Sequence, residues 1–450
     1  MKVFLISLGC DKNLCDSEVM LGLLTGAGYE ITDCEAEADI IIVNTCSFIG
    51  DSQEESINAI IDAGTYKTSG RCKALIVTGC LSQRFADEIR EQLPEVDGML
   101  GTTSYADIVE LISQIMQAGE ESTAPACIFH SINAPERGDL PRILSTGGHY
   151  AYMKIAEGCG KCCTYCAIPS IRGSFRSVPM EQLIEQASRL AAGGVKELIL
   201  VAQETTLYGI DLYGRKALPE LVSRLAEIED LEWIRLLYCY PEEITDEMQE
   251  MFASCDKLVK YLDIPIQSGS NAILTRMGRL TSREDILALA ARLRDKCPEI
   301  ALRTSIITGF PGESKEDHEQ TLDMVRRVGF DRLGVFTYSR EEGTPAYDME
   351  GQIDEEVKAA RRDEIMLLQQ EISLEKSRGF IGRRLQCFIE GKVADEDVYV
   401  ARTYRDAPDV DGYIFINCDY ELMSGDIVTA LVTDASEYDL IGEVIDDDTQ

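Results

Sequence analysis

The sequence predicts an α/β protein in three parts: an N-terminal parallel α/β domain, a TIM-like barrel and a C-terminal OB-like β-barrel. Three observations carry this. Residues 1–118 alternate short apolar runs with helix-period segments. A longer strand–helix alternation fills about 200 residues beyond residue 149. The last 70 residues switch to short strands broken by turns. A chain of 450 residues has room for about three such units.

In residues 1–120, "KVFLISLG", "ADIIIVNTC" and "KALIVTGC" are β-branched apolar runs that read as strands buried on both faces. "DSEVMLGLLTGAGY" and "SQEESINAIIDAGTY" between them have helical periodicity, so the strands are expected to lie parallel. Residues 121–148, rich in Pro, Ser, Gly and Ala, read as a linker. Residues 149–379 hold six strand candidates: "HYAYMKIAEG", "KELILVAQ", "WIRLLYCYP", "YLDIPIQ", "ALRTSIITG" and "RLGVFTYS". Helical segments such as "MEQLIEQASRLAAGG" and "REDILALAARLRDKC" separate them. Six strands fit a TIM-like barrel, closed or partly open. A long charged helix ends near Gly379, and residues 380–450 carry five strand-like runs, from "RLQCFIEGKV" to "LIGEVI".

The formal net charge is −36, from 79 Asp plus Glu against 43 Lys plus Arg. Nucleic acid is held chiefly through basic side chains on phosphates, so this surface suits a basic partner better. No run of eighteen apolar residues predicts a membrane span. "MKVFLISLGC" reads as a first strand rather than a signal peptide, which leads us to expect a cytoplasmic protein.

Sixteen cysteines in such a compartment argue against a disulfide framework. Most are expected to be buried small hydrophobes. Cys10, Cys46 and Cys80 differ, because each follows a predicted strand in a similar context: "SLGC", "VNTC", "VTGC". Ligands gather at the carboxyl ends of strands in open α/β sheets, so these thiols can converge; chance burial at strand ends is the competing reading.

"EGCGKCCTYCAIPSIRG" follows the first barrel strand and holds Cys159, Cys162, Cys163 and Cys166. As two CxxC pairs it lacks the spacer of a zinc ribbon, and a thioredoxin-type motif belongs to a much smaller fold. CxxxCxxC from Cys159, Cys163 and Cys166 fits better. Three thiolates on a tight loop can hold three irons of a cubane and leave the fourth open, with Cys162 a bystander.

That motif after the first barrel strand resembles the radical SAM superfamily. The whole chain resembles its methylthiotransferases, which join a cluster-binding N-terminal domain, a radical SAM barrel and a TRAM domain. "IPIQSGSNAILTRMGR", "TSIITGFPGES" and "SREEGTPAY" resemble their barrel segments. The resemblance implies a 4Fe–4S cluster on Cys159, Cys163 and Cys166 that cleaves S-adenosylmethionine (SAM), and an auxiliary 4Fe–4S cluster on Cys10, Cys46 and Cys80. A 5′-deoxyadenosyl radical would remove hydrogen from a substrate carbon, and a methylthio group would take its place, SAM serving also as methyl donor. Tyr165 takes the aromatic place packed near the adenine. Gln203 and Glu204 in "VAQETTLYG" are expected to grip the SAM amino group, and Ser268 and Gly269 to line the same pocket, with strand-end packing as the alternative for all four. No catalytic residue is assigned beyond the cluster ligands.

Two substrate branches exist in this family: RimO-type members modify an aspartate of a small-subunit ribosomal protein, and MiaB-type members modify a tRNA adenosine. Residues 380–450 carry seventeen Asp plus Glu against five Lys plus Arg, a balance of −12. That charge opposes phosphate and attracts a basic ribosomal protein. "LGCDKNLCDSEVMLG", "RTYRDAPDVDGYIFIN" and "SEYDLIGE" also resemble the RimO type. We therefore expect the protein-modifying branch, with the tRNA enzyme and a non-enzymatic iron–sulfur ribosome-binding factor as alternatives. The sulfur and electron donors are not named by the sequence. Cys15, where the family usually has an apolar residue, and Cys162 depart from the pattern without removing a ligand.

Overall fold

The computed structural model describes residues 1–118, 124–135 and 140–445. Parts of the expected linker (121–123 and 136–139), residues 119–120 and residues 446–450 lie outside the described residues.

The first sheet is wholly parallel, with strand order β2-β1-β3-β4-β5-β6. Its strands are β1 (Lys2–Ser7), β2 (Glu30–Ile31), β3 (Ile40–Thr45), β4 (Ala74–Gly79), β5 (Gly98–Leu100) and β6 (Ala126–Ile128). Every residue of β3 and β4 is buried. Ile40, Ile42 and Ile76 pack beneath α1 (Asp11–Gly26) and, farther along the chain, α5 (Ile108–Ala118). Ile41, Val43 and Val77 pack on the other face, against α2 (Gly50–Ser69), α3 (Cys80–Arg84) and α4 (Ala86–Gln92). Coverage on both sides is why these strands are apolar throughout.

Two details differ from the sequence reading. Helix α1 begins at Asp11, directly after Cys10, so the turn between strand and helix is only three residues long. Residues 126–128, within the expected linker, form the edge strand β6 against β5. Its "ACI" is too short to signal a strand by alternation.

The central unit is a parallel six-stranded sheet, β14-β13-β12-β11-β10-β7, curved as a part-barrel with β14 and β7 as its edges. In chain order β7 (Tyr150–Lys154) comes first, then a two-stranded pair, β8 (Ala156–Glu157) with β9 (Arg176–Ser177), which frames the cysteine loop and α6 (Ile168–Arg172). Then follow β10 (Glu197–Val201), β11 (Trp233–Leu236), β12 (Leu258–Asp263), β13 (Ala301–Thr308) and β14 (Arg332–Thr337). Leu198, Leu200, Ile234, Leu262 and Leu302 face the outer helices in the largest core.

The alternate positions point inward. Tyr150, Tyr152, Ile199, Val201, Trp233 and Tyr261 share a second core with Leu14 and Cys15 of α1 and with Phe388 and Ala407 of the last domain. The floor of the part-barrel is thus sealed by its neighbours. Phe388 meets Trp233 edge-on at 4.5 Å. Arg402 reaches up to Glu197 at 2.6 Å, which Arg235 also holds at 2.7 Å. The helix Glu355–Arg378 leads into a closed barrel of five strands, ordered β15-β16-β17-β19-β18: β15 (Arg384–Lys392), β16 (Val398–Thr403), β17 (Ile414–Asn417), β18 (Ile427–Ala435) and β19 (Leu440–Val444). Among the described residues no helix is long and apolar enough to cross a membrane.

Candidate active site

The carboxyl ends of β1, β3 and β4, adjacent in the first sheet, present Cys10, Cys46 and Cys80. Gly9 and Gly79 shape the turns, with φ of +88° and +91° that disfavour a side chain. A Cβ at Gly9 would also lie 2.8 Å from Cys46 Cβ. Cys46 and Cys80 are buried, and Cys10 is partly exposed. Cys80 lies within electrostatic reach of both other thiols, and burial pushes it up to about 12. Burial raises Cys46 as well. Asn13, one turn into α1, braces the group: its Nδ2 donates to the Leu8 and Thr45 carbonyls at 3.0 and 2.9 Å.

The second group lies on the loop between β8 and α6. Cys159 donates its backbone N–H to the Gly173 carbonyl, and Cys166 to the Cys163 carbonyl at 3.1 Å, which coils the loop. Thr164 is pinned from both sides, donating to the Met277 carbonyl and accepting from Ala346 N–H. Cys159 and Cys163 are buried and Cys166 is partly so, whereas Cys162 is exposed. Burial raises Cys159 to about 11 and Cys166 to about 12.

Neither group forms a single-ion site: among the described residues, no group of three His, Cys, Asp or Glu is placed to hold a metal ion. Three thiols within electrostatic reach of one another are the donor set of a group bound through sulfur. Burial raises the thiols of Cys46, Cys80, Cys159 and Cys166 and so favours their protonated form when empty, and loading them releases protons.

The structure brings the two groups together. Cys80 packs against Ala167 and Ile171, just past Cys166. At the end of α6, beside Cys80, lies Arg172, 2% exposed. Its Nη1 donates to Asp16 Oδ2 at 2.9 Å and to Glu157 Oε2 at 3.1 Å, while Nη2 reaches Asn13 Oδ1 and lies 3.6 Å from Cys80 Sγ. Lys154 joins the same carboxylates, 2.7 Å from Asp16 and 2.8 Å from Glu157. Burial opposes the charge on Glu157, but Lys154 and Arg172 beside it hold its carboxyl well below the usual range.

Gln203 and Glu204 follow β10 and face this centre. Gln203 Nε2 donates to Glu157 Oε1 at 2.5 Å, and its own carbonyl oxygen has no partner among the described residues. Glu204 is fully buried; its Oε1 accepts from the Thr206 backbone at 3.1 Å and its Oε2 has no partner among the described residues. Burial raises it to about 8, and its charge is felt at Cys159. Tyr165 packs with Ile273, Met277 and Phe310. The Ser268 hydroxyl accepts from Ser270 N–H, and Gly269 donates its N–H to the Thr321 hydroxyl on the helix Lys315–Val328.

Sequence reasoning missed Arg172, Glu157, Asn13 and Arg279. Arg279 has a fully buried side chain stacked 4.3 Å over the Tyr240 ring, and its Nε and Nη1 have no partner among the described residues. The one available signal was charge inside a motif: Glu157 two residues before Cys159, and Arg172 six after Cys166.

Three family models match the chain. Residues 2–101 match the Uncharacterized protein family UPF0004, residues 153–325 the Radical SAM superfamily, and residues 381–445 the TRAM domain. It is 55% identical over 442 residues to the ribosomal protein uS12 methylthiotransferase RimO of Lachnoclostridium phytofermentans, covering 98% of this chain and 99% of that one. The chain belongs to the RimO methylthiotransferase family. A second RimO, from Trichlorobacter lovleyi, is 48% identical over 454 residues, covering 99% of this chain and 98% of that protein. Membership of the RimO family makes the chain a radical SAM methylthiotransferase, as the motifs imply. In fold, the chain is similar to the radical S-adenosylmethionine methyltransferase TsrM from Kitasatospora setae. The TM-score is 0.56 at 14% identity, over 88% of this chain and 81% of that one, a likeness of architecture alone.

Proposed function

We propose that this enzyme methylthiolates the β-carbon of an aspartate in ribosomal protein uS12, using SAM and two 4Fe–4S clusters. One observation carries the reading: Cys80 of one triad packs on Ala167 and Ile171, beside Cys166 of the other, in a chain that matches uS12 methylthiotransferases from end to end.

Cys159, Cys163 and Cys166 would hold the cluster that works with SAM, and Cys10, Cys46 and Cys80 the auxiliary one. When bound, these groups supply the electron that cleaves SAM and the sulfur that is transferred. The chain's own part is placement. Glu204 and Gln203 offer unpaired oxygens to a bound ammonium, and the Lys154–Arg172–Glu157 network fixes the second triad's partner surface. The sealed part-barrel floor keeps water from the lower lumen.

Charge supports the protein target. Two of the five cations of residues 380–450, Arg402 and Arg405, are buried, as are the side chains of Asp406 and Asp411, so the surface of this domain keeps its strongly acidic balance. Such a face attracts a basic ribosomal protein and repels tRNA phosphates. The enzyme would act in the cytoplasm, where that substrate is made.

Mass spectrometry of uS12 from a deletion strain, with and without this gene restored, tests the reading. The methylthio increment is expected to vanish and return. Its persistence in the deletion strain would sink the assignment.

A further inference from the structure

Arg172 does more than join two domains. An interdomain ion pair needs only carboxylates, and Asp16 and Glu157 already satisfy one edge of its guanidinium. The other edge turns to Asn13 Oδ1 and to the sulfur of Cys80. Sulfur is a weak acceptor as a thiol and a good one as a metal-bound thiolate.

We propose that Arg172 is a positioning residue that sets the reduction potential of the auxiliary cluster by holding a fixed positive N–H against the Cys80 sulfur. This rests on the reading that Cys10, Cys46 and Cys80 hold that cluster. Reduction adds one negative charge to a cluster, spread over its sulfurs. A buried cation beside one of them stabilises the reduced form, because screening there is weak. Glu157 acts in the opposite sense: it is an anion on the far side of the same guanidinium and offsets part of its charge. A chain of contacts, Cys80–Arg172–Glu157–Gln203, therefore ties the environment of one triad to the pocket beside the other.

The test uses full-length protein in which Cys159, Cys163 and Cys166 are all changed to Ala, so that only the auxiliary triad can load. After anaerobic reconstitution, iron content is measured and the potential is followed by electron paramagnetic resonance. Arg172→Gln is expected to lower the potential, Arg172→Lys to restore part of it, and Glu157→Gln to raise it. Opposite signs for two partners of one ion pair would not arise from loosened packing. Full iron loading with unmoved potentials in all three variants overturns the inference. If Arg172→Gln fails to load, Glu157→Gln and Arg172→Lys decide: a potential for Glu157→Gln at or below the parent's overturns it. Should the parent background bind no iron, the ligand assignment itself falls and the inference with it.

Discussion

Lys12 Nζ lies 3.2 Å from the centre of the Tyr238 ring, joining the residue two places past Cys10 to the end of barrel strand β11. The Tyr238 hydroxyl donates to Asp11 Oδ1 at 3.0 Å, and Lys12 also pairs with Asp11 at 2.9 Å. Tyr238 has a φ of +60°, an uncommon backbone state for a bulky residue, held by its N–H donating to Asp263. The contact therefore locates the first triad over the barrel. Lys12→Gln is expected to cost about 3 kcal/mol, because it leaves the buried Asp11 without its countercharge. Tyr238→Phe removes one charged hydrogen bond and should cost about 1–2 kcal/mol. Urea unfolding of both variants checks the order.

Most strands, and the placement of Cys10, Cys46 and Cys80 at strand ends, were legible in the sequence, and the physical reason is local. β3 and β4 are buried on both faces, so their side chains are uniformly apolar. Cys10, Cys46 and Cys80 end their strands or immediately follow the strand-ending turn, so position alone grouped them. Arg172 was not legible. Arginine is surface-exposed by default, and the partner that gives it meaning, Cys80, is 92 residues away. Gly269 illustrates the converse. Its motif marked it as pocket-lining, and the helix packed against its missing side chain is a long-range contact that no local pattern announces.

Cys162 and Cys163 are neighbours with opposite exposure. Cys163 is buried, 3.8 Å from the Tyr240 hydroxyl, whereas Cys162 faces solvent. Cys162→Ser is expected to retain its iron and to release 5′-deoxyadenosine within twofold of the parent. Cys163→Ala should release none. Iron quantification alongside a SAM-cleavage assay checks the pair, and a Cys162→Ser variant without iron would revise the ligand set.

Gly269 has room for no side chain. An added Cβ would lie 2.6 Å from Thr321 Cα and 2.8 Å from Met324 Cβ, and a backbone atom cannot rotate away. Gly269→Ala should therefore destabilise by about 1–3 kcal/mol through overpacking. If its role is packing alone, the variant's affinity for SAM per folded, loaded molecule stays within twofold. Denaturant unfolding and equilibrium SAM binding separate the two effects.

Glu204 links stability to binding through its proton. Burial raises its carboxyl from about 4.5 to about 8, against the Thr206 contacts that lower it. Between those values the unfolded chain is ionised while the folded site keeps its proton. The folded state then binds more protons, so stability falls as pH rises through this window and levels off above it. Glu204→Gln removes that dependence. The metal-free variant should match the parent near pH 4 and exceed it by roughly 2–5 kcal/mol near pH 8.5, as read from pH-dependent thermal unfolding. With clusters loaded, the same change should weaken SAM binding tenfold or more, since it deletes the charge offered to an ammonium. A carboxylate kept for structure would lose stability on neutralisation. One kept for a ligand gains stability and loses affinity, and that paired outcome is the one this buried, half-satisfied group should give.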